Sequence, residues 1–214
     1  MPNGRKDAIF FDLDGTLTDP KLGIVRSIRY AMDRLGVECP KDDDLTWCIG
    51  PPLLDSFSEL VGSSRAPEAL THYRERFSEY GWRENTPYEG IFDALGDLKA
   101  SGHSLYVATS KPYVFAERIV RHFELDAYFS AVFGAELDGT RSHKGELLRF
   151  ALDETGSTHT ATMVGDRKHD VIGAKHNGMR TVGVTYGYGS RQELEDAGAD
   201  VIVAKPAHVA RQFT

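Results

Sequence analysis

Two aspartates separated by a single leucine close the first apolar run of the chain, in Asp12-Leu13-Asp14-Gly15-Thr16. Side chains two apart on a strand share a face, so Asp12 and Asp14 both project at its carboxyl end. In open α/β sheets that edge is where ligands bind. Gly15 lets the backbone turn sharply and leaves an amide free to approach an anion. Asp and Gly are also ordinary turn formers, so a solvated strand-end turn competes with this reading while the pentapeptide stands alone. A second pair of acids tips the balance. The run 160–165 leads into Gly165-Asp166, and Asp170 follows about one helical turn later. Taken alone, these two would pass for a helix N-cap and an exposed helical residue. Gathered with Asp12 and Asp14 they repel unless a cation sits among them, and hard oxygen donors of this kind suit Mg²⁺.

Two further segments carry hydroxyl and positive charge. Thr109-Ser110-Lys111-Pro112 closes a strand predicted over 104–109 and opens a helix with Pro112 near its first turn, where hydroxyls and free amides make a phosphate seat. Lys144 begins another helix, an unfavourable place for a cation unless anions lie opposite. Beside several carboxylates and a phosphate it is the neutralising charge.

These residues need a scaffold, and the chain supplies one. Short runs rich in β-branched and aromatic residues at 8–13, 104–109, 160–165, 181–185 and 199–203, with a weaker one at 131–134, read as buried strands. Helix-length stretches separate them, which predicts an α/β fold: a Rossmann-like parallel sheet flanked by helices. Residues 18–85 break the rhythm, with helical periodicity and no convincing strand. Val25, Ile28, Met32 and Leu35 form one stripe, ended at Gly36; 53–61 and 70–80 carry two more. The expected organisation is a catalytic core of 1–17 and 86–214, with an all-helical cap of 18–85 inserted after the first strand. Lys41-Asp42-Asp43-Asp44 reads as a solvated inter-helix loop or helix start, Trp47 as packed within the insertion or else stacked on a nucleobase, and Arg26, Arg29 and Arg74 as surface residues, unless one of them meets a second anionic group of a substrate. His103, His143, His169 and His176 lack metal spacing and read as loop or helix-surface residues.

Composition narrows the function. With 25 basic and 32 acidic side chains, the net charge of −7 argues against a nucleic-acid polymer as partner. Two cysteines make no disulfide framework. No apolar run spans a membrane, and the start lacks the apolar stretch of a signal peptide, so a cytoplasmic protein is expected; a small anionic partner such as a phosphorylated metabolite fits if positive charge is gathered locally, and monomer and homodimer both stay open.

The joint pattern resembles the haloacid dehalogenase superfamily, whose four motifs occur here in order as Asp12 to Thr16, Thr109, Lys144, and Gly165-Asp166 with Asp170. The helical insertion resembles the cap of the phosphoglycolate phosphatase-like branch. Trp47-Cys48-Ile49-Gly50-Pro51-Pro52-Leu53, followed by Asp55-Ser56-Phe57, is similar to a bacterial 5'-nucleotidase subgroup. The resemblance implies that Asp12 attacks phosphorus and Asp14 serves as acid and base. It implies Mg²⁺ on Asp12, the Asp14 carbonyl and Asp166, supported by Asp170. Lys144 would neutralise charge, while Thr109, Ser110 and the Gly15 amide would hold phosphate oxygens. The Ile49-Gly50-Pro51-Pro52 turn, with Gly50 and Pro51 at its centre, is the candidate substrate-facing loop of the insertion, or else a plain connection.

Dehalogenation does not need the acid at Asp14. Phosphonate cleavage through a cap lysine has only Lys21 and Lys41 to draw on, and Lys41 sits in an acidic run that opposes a depressed pKa. Phosphate ester hydrolysis is therefore expected, with nucleoside 5'-monophosphates or phosphoglycolate as substrates. A sugar phosphomutase or sugar phosphatase is the alternative within the superfamily, and a phospho-receiver signalling domain the alternative of another class. A nucleotide-binding module would carry a glycine-rich phosphate loop after the first strand, and none follows it.

Overall fold

Ile9 and Phe11 point to one side of the first strand and Ala8 and Phe10 to the other, and all four are buried. A strand covered on both faces needs helices above and below it. In the computed structural model, which describes residues 7–157 and 161–213, this strand, β1 (Ala8–Phe11), is an interior strand of a six-stranded sheet. The other members are β4 (Ser104–Pro112), β5 (Ala131–Ala135), β6 (Ala161–Gly165), β7 (Arg180–Val184) and β8 (Val201–Val203). Their order is β5-β4-β1-β6-β7-β8, and every pairing is parallel.

The helices divide between the two faces. Ile9 and Phe11 share a cluster with α4 (Ile91–Ala100), α5 (Tyr113–His122) and α9 (Pro206–Ala210). Phe10 and Met163 pack instead with α6 (Lys144–Thr155) and α7 (Lys168–His176). The short α8 (Arg191–Asp196) follows β7. Phe11 is in register with Val107 of β4 and Val164 of β6, so Asp12, Ala108 and Gly165 follow at one level. That register brings residues far apart in sequence to one edge.

Between β2 (Thr18–Asp19) and β3 (Thr86–Pro87) run three helices, α1 (Lys21–Arg34), α2 (Leu53–Val61) and α3 (Ala66–Glu79), with 3₁₀ turns at Asp42–Cys48 and Gly81–Arg83. Their apolar stripes meet in Ile28, Met32, Phe57, Tyr73 and Phe77, and Phe77 meets Phe115 of α5 edge to face at 5.2 Å. The insertion and one face of the sheet therefore share a continuous core.

Several expectations need correction. Residues 18–85 do contain a strand: Thr18 and Asp19 pair antiparallel with Pro87 and Thr86, a ladder too short for period-two patterning to reveal. β4 does not stop at Thr109 but continues to Pro112, with its register against β5 shifting between Thr109 and Pro112. The acidic run 42–44 does open a helix, a 3₁₀ one, as its helix-start reading expected, and there Asp43 pairs with Lys21 and Asp42 with Arg29. Trp47 is 36% exposed rather than packed, because Leu45, Cys48 and Ile49 fill the interior of that segment. His103 is buried and accepts the Asp7 N–H at its Nδ1. Thr160, the first residue expected in β6, lies outside the described residues.

One contact tests this packing. A Cβ on Gly23 in α1 would sit 2.1 Å from the Gly81 carbonyl oxygen, a backbone atom that cannot rotate aside. Gly23→Ala should cost about 1–3 kcal/mol, the usual penalty of overpacking. Thermal melts should show a drop of several degrees; an unchanged Tm would show that α1 does not pack here as described.

Candidate active site

The backbone amide of Asp12 donates to Val164 O at 2.9 Å, which carries the sheet one residue past β1 and fixes where the carboxylate starts. Asp12 Oδ1 accepts from Lys144 Nζ at 2.9 Å. The same ammonium donates to Ala108 O at 2.9 Å and lies 2.8 Å from Asp170 Oδ1. A lysine at the first position of α6 is thus turned inward, across the end of the sheet, between two carboxylates. Asp166 accepts the Thr16 hydroxyl on Oδ1 at 3.3 Å and the Tyr188 amide on Oδ2 at 2.7 Å. Asp170, in the first turn of α7, accepts the Arg167 amide on Oδ2 at 3.1 Å. Carboxylate oxygens of Asp12, Asp166 and Asp170 all lie within 4.8 Å of one another.

Gly15 serves this cluster differently from expectation. Its amide donates to Thr18 O at 2.8 Å and is not free for an anion. What the position requires is the absence of a side chain: φ is +88°, and a Cβ would fall 2.3 Å from Asp166 Oδ2.

Charge is unbalanced here. Asp12, Asp14, Asp166 and Asp170 are buried, and the ammoniums of Lys144 and Lys111 are the cations beside them, the latter 2.7 Å from Asp14 Oδ2. Were all four ionised, the two ammoniums would leave two charges to be met by Arg167, which favours ionisation of Asp166, and by a cation. Burial pushes Asp14, Asp166 and Asp170 above the ordinary carboxylate range, with repulsion from neighbouring aspartates adding to it. Burial alone would pull Lys144 down, but Asp12 and Asp170 outweigh it and hold the ammonium above its usual value. Among the described residues Asp14 Oδ1 has no hydrogen-bond partner, and Asp170 Oδ1 faces Lys144 without hydrogen-bond alignment. Crowded, buried, under-satisfied carboxylate oxygens are a donor set that fits Mg²⁺.

The remaining expected residues line a cleft of about 310 Å³ between sheet and insertion. Asp12, Asp14, Thr109 and Ser110 form its floor, and Gly50 and Pro51 part of the opposite wall. Thr109 Oγ1 accepts the Lys111 amide at 3.2 Å. Gly50, at φ +110°, lies against Arg167, whose Cγ would be 2.8 Å from an added Cβ. Arg74, expected on the surface, is half-buried on the cleft wall and donates to Leu137 O at 2.8 Å.

Sequence reasoning assigned no role to Lys111 or Arg167. Lys111 Nζ stands 4.6 Å over the ring of Phe77 as well as beside Asp14, so it touches both the sheet and α3. Arg167 donates to Glu193 at 2.9 Å and to the carbonyl of Ile49 in the insertion. The available signal was adjacency: Lys111 follows Ser110, and Arg167 follows Asp166.

Comparison with known proteins agrees with this geometry. A family model described as haloacid dehalogenase-like hydrolase matches residues 9–184. A 5'-nucleotidase of Pseudomonas aeruginosa is 52% identical over 193 residues, covering 89% of this chain and 87% of that protein. The tyrosine-protein kinase PtkA of Mycobacterium tuberculosis is 39% identical, over 94% of this chain and 69% of its own length. The crystal structure of a predicted phosphatase from Clostridium acetobutylicum superposes with a TM-score of 0.93 at 40% identity, covering 97% of each chain.

A dication that relieves the crowded carboxylates must stabilise the fold by binding it preferentially. Millimolar Mg²⁺ should raise Tm by several degrees, EDTA should reverse the rise, and Asp166→Asn should abolish it. A wild-type Tm indifferent to Mg²⁺ would rule the cation out of this cluster.

Proposed function

The chain belongs to the haloacid dehalogenase-like hydrolase family, as a phosphoric monoester hydrolase within it, and we propose that it hydrolyses small phosphomonoesters through an aspartyl-phosphate on Asp12. The observation that carries this reading is the Lys144 ammonium 2.9 Å from Asp12 Oδ1, with Asp14 two residues on and facing the same cleft. Lys144, donating to Asp12 Oδ1, fixes the rotation of the carboxylate for in-line attack. An oxygen of Asp12 bonds to phosphorus as the ester P–O bond breaks, dividing one hard displacement into two easier ones. Asp14 gives its proton to the departing alkoxide. Its burial favours the protonated form this step needs. Water then attacks the aspartyl-phosphate, Asp14 takes back a proton, and phosphate leaves with the Asp12 carboxylate restored.

Mg²⁺, held by Asp12, the Asp14 backbone carbonyl and Asp166 with Asp170 in support, supplies positive charge against the phosphoryl oxygens when bound. Thr109 and Ser110, on the floor of the cleft, hold phosphate oxygens. Lys111 holds the Asp14 side chain in place. The helical insertion, residues 18–85, acts as a cap that keeps bulk water from the intermediate, with the core formed by 1–17 and 86–214. Substrates of the 5'-nucleotidase or phosphoglycolate phosphatase type fit this chemistry. Among the described residues no helix is long and apolar enough to cross a membrane.

Purified protein with para-nitrophenyl phosphate and Mg²⁺ should turn over continuously. Asp12→Asn should lower kcat by at least about a thousandfold, since the nucleophile itself is lost. Lys111→Met should lower kcat by about ten- to a hundredfold while leaving a folded protein, by misplacing the acid. Full activity in Asp12→Asn would overturn the mechanism.

A further inference from the structure

A cation is out of place at the start of a helix, where the dipole is positive and Ser, Thr, Asn or Asp makes the better cap. Arg167 holds that position in α7, yet it is buried and its side chain is turned off the helix toward the insertion. Its Nε donates to Glu193 of α8 at 2.9 Å, and Glu193 also accepts the Lys168 amide at 2.8 Å, so the guanidinium is braced from behind. Its Nη1 donates to the carbonyl of Ile49. The accompanying carboxylate offsets the cost of burying this charge.

The segment that Arg167 reaches has little else to hold it. Residues 49–52 join the 3₁₀ turn Asp42–Cys48 to α2, and Pro51 and Pro52 have no N–H to donate. Among the described residues, the one hydrogen bond that ties 49–52 to the sheet side comes from Arg167. Gly50, at φ +110°, lies so close to the arginine stem that an added Cβ would come within 2.8 Å of Arg167 Cγ. Two successive residues thus rest on one side chain, Ile49 through its carbonyl and Gly50 by contact. Gly50 and Pro51 line the cleft that has Asp12 and Asp14 on its floor.

Building on the phosphatase reading above, we propose that Arg167, braced by Glu193, is a positioning residue that sets where Gly50 and Pro51 stand above the reaction centre and so shapes the space for the alcohol half of the ester. The fork matters more than the charge. A guanidinium bonds Glu193 and the Ile49 carbonyl at once from different nitrogens, whereas a lysine ammonium is a single point on a flexible stem. Asp166, Arg167 and Asp170 share one turn at the start of α7, so the wall that meets the alcohol is registered to the carboxylates at the phosphate end.

Arg167→Lys keeps the charge and removes the fork. With para-nitrophenyl phosphate, KM should rise by at least about fivefold while kcat stays within about threefold, the signature of lost binding rather than lost chemistry. The inhibition constant of orthovanadate, a phosphate mimic without an alcohol, should stay within about twofold, because the phosphate end is untouched. Trp47, two residues before Ile49 and the sole tryptophan in a Trp82→Phe background, reports on the segment without turnover: acrylamide should quench it more steeply once Arg167 is lysine. Glu193→Gln, which weakens the brace, should raise KM by about twofold with the orthovanadate constant unmoved. The proposal is overturned if Arg167→Lys keeps the wild-type KM, if KM and the orthovanadate constant rise together, as general damage at the reaction centre would cause, or if Trp47 quenching is unchanged. Should Arg167→Lys fail to fold, Glu193→Gln decides by the same three readings. A wild-type chain that leaves para-nitrophenyl phosphate intact overturns the phosphatase reading and this proposal with it.

Discussion

Like charges forced together in a dry space are the constraint around which this molecule is arranged. Four aspartates converge where the sheet ends, and water is largely excluded from them. Two lysines drawn in from α6 and β4 compensate half of the charge. The rest of the local design keeps this cluster from relaxing. Asp166 is gripped by the Thr16 hydroxyl and the Tyr188 amide, Asp170 by the Arg167 amide. Gly187 and Gly189 bring backbone so close to Asp166 that an added Cβ on either would collide with it. Such a centre is costly in isolation, and a divalent ion among the carboxylates would offset that cost.

Much of this was legible in the chain, and the reasons are physical. Strands buried on both faces must be continuous apolar runs, so β1, β6 and β7 announced themselves, and acids placed just beyond such runs had nowhere to go but the sheet edge. Lys144 was legible because a cation at a helix start is electrostatically wrong unless anions face it. What escaped notice depends on geometry that no local pattern encodes. The Gly15 amide is taken by Thr18 O because of how the turn closes, a detail of φ and ψ rather than of residue type. β4 runs on through Ser110 and Lys111 because β5 is there to pair with it after a register shift. Lys111 and Arg167 matter because α3 and the Ile49 loop come to them from far along the chain.

The insertion is joined to the sheet by individual polar struts laid over a shared apolar core. Arg74 reaches Leu137 O, Arg118 reaches Ser78 O at 3.1 Å while its guanidinium stacks 4.2 Å over Trp82, and Arg167 reaches Ile49 O. Each ends on a backbone carbonyl, which pins the position of a main-chain segment without depending on the protonation of a partner. Lys111 adds a contact with the Phe77 ring. The side chain that pairs with Asp14 therefore also touches the insertion.

Both passages of the chain between sheet and insertion run through a ladder two residues long, Thr18–Asp19 against Thr86–Pro87. Asp12, Lys144, Asp166 and Asp170 all lie on the sheet side of it. The insertion's share of the cleft wall and the four residues of the cluster thus belong to separate stretches of the chain. The wall can accordingly be rebuilt for a different guest, by drift or by grafting, with the chemical engine beneath it left intact.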